Sequence, residues 1–196
     1  MYTWGYVKEA TLAKIDMSAD QIIKIGWMDK FPFYANEALT QIAAAVKANR
    51  AYTQFKVRWN DDGDCKPNMP VHMPNDFISF NGDVAYVVIK GIMQVATDED
   101  FDTFTGDAIV FFDDGDYMIP YNAYYQKIYP ITDDDVVLKI PDDVVECLPS
   151  YIAGQCFKVD DEQKSSIYRN EFEMLLSRVD QNSYKTGKTI HIGGDW

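Results

Sequence analysis

The sequence predicts an α+β fold in which an antiparallel β lobe is inserted into a helical bundle. Three observations predict it. Apolar residues recur about every 3.6 positions up to Asn49, every second position through the middle of the chain, and again every 3.6 positions from Pro141. Acidity is concentrated in the middle: residues 59–146 carry 4 basic and 19 acidic side chains (net −15). The flanks are nearly balanced, with 8 basic and 5 acidic over 1–58 (net +3) and 6 and 7 over 147–196 (net −1). The expected divisions are an N-terminal helical part (1–50), an acidic β lobe (51–140), a C-terminal helical hairpin completing the bundle (141–180) and an extended tail (181–196).

Residues 3–15 form the first expected helix, with Tyr6, Leu12 and Ile15 among its apolar positions. Ser18 then fits an N-cap, and Gln21 stands where a capping box places its second member. In FPFYANEALTQIAAAVK, Pro32 suits a first helical turn, where a missing N–H costs nothing. Ala35, Ala38, Leu39, Ile42, Ala45 and Val46 continue as one stripe.

The period changes at TQFKVRW, where Phe55, Val57 and Trp59 alternate with Lys56 and Arg58. Further strands are expected at DFISF (76–80), DVAYVVI (83–89), AIVFF (108–112), YMIPYNAYY (117–125) and DVVLKI (135–140). NDDGD (60–64) reads as a turn. DDGD (113–116) reads as a hairpin turn in which Gly115 supplies a positive φ. Short strands separated by turn signals point to an antiparallel sheet or sandwich.

From Pro141, Asp142 and Asp143 occupy a first turn, where the helix dipole favours acids. Val144, Val145, Leu148, Ile152 and Cys156 form an apolar face, and Pro149 predicts a break near Leu148. Asp160 or Asp161 caps the next helix, whose apolar side is Ile167, Tyr168, Phe172, Leu175, Leu176 and Val179. Arg169 and Glu173 form an expected i,i+4 pair.

No motif carries a chemistry, and no catalytic residue, cofactor site or metal site is assigned. DEDFDTFTGDAI (98–109) opens like a calcium loop, but Thr103 stands in place of the required Gly and Ile109 in place of the Glu. YKTGKT (184–189) ends like a phosphate-binding loop, yet Asn182 occupies the position of its first Gly. His72 and His191 lack a local nucleophile context, and Cys65, Cys147 and Cys156 lack metal-ligand spacing. Paired carboxylates for glycoside hydrolysis cannot be singled out among 31 acids. Tyr117, Tyr121, Tyr124, Tyr125 and Tyr129 offer either a stacking platform or, on strand statistics, sheet core and interface. A net charge of −13 argues against a nucleic-acid-binding surface. No long apolar run predicts a membrane span, and the N-terminal residues lack the pattern of a signal peptide.

MPNDFISF (73–80) resembles the strand entry of tailed-bacteriophage head–tail adaptor (connector, neck) proteins. IPDDVVECLPSYIAGQCFKVDDEQKSSIYRNEFEMLLSRVD (140–180) resembles their terminal helical hairpin, including the spacing of Tyr168 and Phe172. YANEALTQIAAAV (34–46) is similar to their early helix. The resemblance implies a virion structural protein without enzymatic activity, made in the host cytoplasm. It implies a homo-oligomeric ring between portal and tail-completion proteins, with DNA passing through and no sequence-specific binding. An acidic lobe suits such a passage because it repels phosphate. The tail, through Ile190, Ile192, Gly193, Gly194 and Trp196, is the expected partner-binding segment. Two other readings stand beside it: a tail-associated or carbohydrate-binding virion module, and an acidic DNA mimic. The mimic requires acids spaced along rigid faces, whereas these cluster at turns.

Overall fold

The computed structural model describes residues 1–185 other than 61, 104 and 105, and its fold is α+β. The chain divides into two compact units, Met1–Lys47 with Tyr125–Trp196, and Ala48–Tyr124. The β unit therefore closes at Tyr124, where the sequence pattern placed its end at Ile140.

The first unit begins with α1 (Trp4–Ile15), whose N-cap Thr3 accepts a hydrogen bond from the Tyr6 amide. Trp4, Val7, Thr11 and Ile15 face inward at helical spacing, and the Thr11 hydroxyl is satisfied by the Val7 carbonyl at 2.7 Å. α2 (Ala19–Lys24) carries the expected capping box between Ser18 and Gln21. A single 3₁₀ turn (Met28–Lys30) leads into α3 (Phe31–Ala45), with Pro32 in its first turn. Phe31, Ala35, Ala38, Leu39, Ile42 and Ala43 are buried; Ala45, expected in the stripe, is exposed.

α4 (Asp142–Val145) and α5 (Leu148–Phe157) are separate helices, the break falling just before Pro149 in the first turn of α5. α5 is the most buried helix and packs against α1 and α3. Its other neighbour is α6 (Glu162–Lys185), which starts where Asp161 accepts a hydrogen bond from the Lys164 amide. α5 and α6 meet beside Gly154, whose carbonyl accepts a hydrogen bond from the Ser165 hydroxyl at 2.9 Å. The Tyr168 hydroxyl and the Lys14–Glu171 ion pair (2.6 Å) tie α6 to the end of α1. α6 runs to Lys185, so residues 181–185 continue the helix where an extended tail was expected. Ile167 is exposed rather than inward, and Arg169 and Glu173 form no ion pair.

Residues 135–140 do not form the expected strand. Their backbone pairs locally with the N-terminus instead: Trp4 N–H donates to the Val136 carbonyl and Leu138 N–H to that of Tyr2, around a single bridge between Thr3 and Val137.

The second unit contains a five-stranded sheet built around β8. Its strands are β1 (Asn49–Val57), β3 (Phe77–Phe80), β4 (Tyr86–Ile89), β5 (Ile92–Val95) and β8 (Gly115–Ala123). β1 pairs β8 along its whole length; β4 and β3 share the other side of β8, and β5 lies outside β4. A three-stranded sheet orders β2 (Pro70–His72), β7 (Ala108–Phe111) and β6 (Phe101–Thr103). The named strands pair antiparallel throughout, and an isolated bridge between Val57 and Cys65 is parallel. Phe55, Val57, Val87, Ile109, Phe111 and Tyr117 belong to its shared core, the Phe111 and Tyr117 rings 4.3 Å apart. β7 and β8 lie in different sheets, so 113–116 is no hairpin turn, and Gly115 does not adopt a positive φ. A Cβ there would sit 2.7 Å from Val87 Cγ2, so glycine is required by packing.

Candidate functional site

The partner-binding residues expected in the tail, Ile190, Ile192, Gly193, Gly194 and Trp196, lie outside the described residues. Several of the clustered acids are used locally. Asp64 accepts from the Lys56 amide, Asp114 from the Trp59 amide, and Asp100 from both the amide and hydroxyl of Thr97. Asp116 pairs with Arg58 at 2.6 Å, Asp134 with Lys8 at 2.5 Å and Asp143 with Lys47 at 2.8 Å. Asp102, inside the failed calcium loop, accepts from the Thr103 amide within β6. Among the described residues, no group of three or more His, Cys, Asp or Glu side chains is placed to hold a metal ion.

The three cysteine thiols are held in their protonated forms. Burial pushes the Cys147 and Cys156 thiols up to about 12, Cys147 further by nearby Asp143 and Glu146. Cys65, half-buried, is raised by burial and then by Asp64. His72 Nδ1 lies 3.1 Å from Asp107 on an exposed edge. The tyrosines offer no stacking platform: Tyr117, Tyr121 and Tyr125 are buried, leaving only Tyr124 and Tyr129 exposed.

Within the first unit, α3, α5 and α6 border an open cleft of about 500 Å³. Gln41 donates to the Tyr151 hydroxyl at 2.9 Å on one wall, and Tyr151 packs edge-on against Phe172. Burial, then Glu37, raises the Tyr151 phenol to about 12, so it stays a neutral hydrogen-bonding group. Among the described residues, the Arg169 guanidinium at the rim has no ion-pair partner, and it is suited to a carboxylate. The lining combines hydrogen-bonding groups with two aromatic rings, Tyr151 and Phe172.

The second unit exposes β5. All four of its residues are exposed, Ile92 by 69%, Met93 by 61% and Val95 by 56%. Most edge strands are blunted by charge or proline; β5 has neither. It is reached through a tight turn in which Lys90 (φ 51°) and Gly91 (φ 79°) are both left-handed. Sequence reasoning missed this strand, although the Lys90–Gly91 pair between Ile89 and Ile92 is a hairpin signal.

Neither the protein-family models nor the curated proteins give a match to this chain. Among the described residues, no helix is long and apolar enough to cross a membrane.

Proposed function

We propose that this chain is a structural assembly protein of a tailed-phage virion, a head–tail adaptor that forms a homo-oligomeric ring between the portal and the tail-completion proteins. The observation that carries the reading is the β5 edge: an uncharged, apolar strand presented to solvent by a sheet with a buried core. It accompanies an organisation in which both chain ends build one helical unit and the middle builds a β unit. In this reading the N-terminal helices and the α5–α6 hairpin form the bundle, and the acidic β unit is the inserted lobe. DNA passes the ring without sequence-specific contact, which an acidic surface favours. The resemblance of 34–46, 73–80 and 140–180 to adaptor proteins supports the same reading.

A carbohydrate-binding role loses support because Tyr117 and Tyr121 fill the sheet core. A DNA mimic loses support because several of the acids, Asp64, Asp100 and Asp116 among them, are engaged in turns and ion pairs. Deleting the gene from a phage that carries it tests the role. Full heads and free tails, unjoined, are expected in the lysate; intact virions, or empty heads alone, contradict a neck function.

A further inference from the structure

The strand path β1-β8-β4-β5 of the five-stranded sheet ends in two outer strands, and they differ in charge. One is β5. It is uncharged and is followed by Asp98 and Glu99, both exposed and without an ion-pair partner. The other is β1, whose outward face carries Arg50, Tyr52, Gln54 and Lys56. Arg50 is 76% exposed and meets Asp83 only at 3.7 Å, and Lys56 makes no side-chain ion pair. From Asn49 to Phe55, the edge of β1 turned away from β8 takes no backbone hydrogen bond from a described residue; the covering segment 64–65 reaches only Lys56 and beyond. The outer edge of β5 is likewise unpaired.

We infer that β5 of one copy pairs antiparallel with the 49–55 edge of β1 in the next copy, extending the five-stranded sheet from subunit to subunit. The direction follows from the sheet. β8 runs against β1, β4 against β8 and β5 against β4, so a following β1 continues the alternation. Backbone hydrogen bonds supply the affinity in such strand addition, and side chains supply the choice of partner. Here Ile92, Met93 and Val95 meet a strand carrying Tyr52, while the acids after β5 lie toward Arg50 at the start of β1. Because the two edges are unlike, the contact is head-to-tail, and repetition closes a ring or extends a filament. This inference rests on the ring-forming reading above and names the surfaces that would build it.

Two charge variants test it. Ile92→Lys with Val95→Lys sets cations on β5 against Arg50; Arg50→Glu with Gln54→Glu adds anions to β1 on the side that Asp98 and Glu99 approach. All four positions are exposed, and circular dichroism confirms that each variant folds. Light scattering after size exclusion should find the wild type self-associated, alone or with portal, and each variant monomeric. An equimolar mixture should regain wild-type assembly, because every contact is then either native or of opposite charge. A wild type that stays monomeric under both conditions overturns the inference, as does either variant assembling alone or a mixture that stays monomeric. The neck reading separates cleanly: variants that still form rings on portal sink the strand pairing only. Self-association through these edges without any portal binding sinks the neck role only.

Discussion

The Tyr125 hydroxyl donates a hydrogen bond to the Lys47 carbonyl at 2.7 Å. These are the residues at which the chain leaves the helical unit and returns to it. Lys47 is also held through its side chain, which reaches both oxygens of Asp143 at 2.9 and 2.8 Å. The exit and re-entry points of the insertion are thus fastened to each other and to α4.

Removing the hydroxyl with Tyr125→Phe should lower unfolding free energy by about 1–2 kcal/mol, since a buried donor is lost and the carbonyl loses its partner. Urea denaturation followed by circular dichroism measures it. An unchanged midpoint would show that the fastening is immaterial to stability.

Gly115→Ala should destabilise the β unit by about 1–3 kcal/mol, the usual cost of overpacking, because its Cβ would meet Val87 Cγ2 at 2.7 Å. Adding Val87→Ala makes room, so the double variant should lose less than the two single losses added together. Strict additivity in a double-mutant cycle would place the strain elsewhere.

Stability should fall on the alkaline side. Burial raises the Cys147 and Cys156 thiols to about 12 from an ordinary 9, and the Tyr117, Tyr121 and Tyr151 phenols to about 12 from 10. A raised folded pKa means that the native state keeps a proton that the unfolded chain releases. The stabilisation is therefore complete below pH 9 and is lost between about pH 9 and 12. Melting temperature against pH should decline through that window, and Cys147→Ala should flatten its onset, which the thiols set. A flat profile to pH 11 would contradict this.

Thiol labelling should follow burial. Under native conditions Cys65 should react with an aromatic disulfide reagent well ahead of Cys147 and Cys156, and all three should react together in denaturant. Equal native rates would contradict the packing around α5.

The helical half was legible because its signals are local. Ser18 with Gln21, Pro32, Pro149 and Asp161 each mark a helix end through neighbours within a few residues. The buried face of β8 was legible as alternation through Tyr117, Ile119, Tyr121 and Ala123. What failed depends on distant partners. Residues 135–140 look like a strand, but their backbone partners are Tyr2 and Trp4, at the other end of the sequence. Gly115 sits in turn-like composition, yet its reason is a methyl group on β4. β5 was hidden for another cause: Ile92, Met93, Gln94 and Val95 are all exposed, so no burial period marks them. The surface that now carries the assembly reading is the one whose sequence pattern was least regular.

The central claim, a ring that sits on the portal, is tested most directly by electron microscopy of the protein mixed with the portal protein of the phage that carries it. Class averages should show an added layer with the rotational symmetry of a closed ring, stacked coaxially on the portal. Portal particles unchanged in height and symmetry at saturating protein would contradict the account.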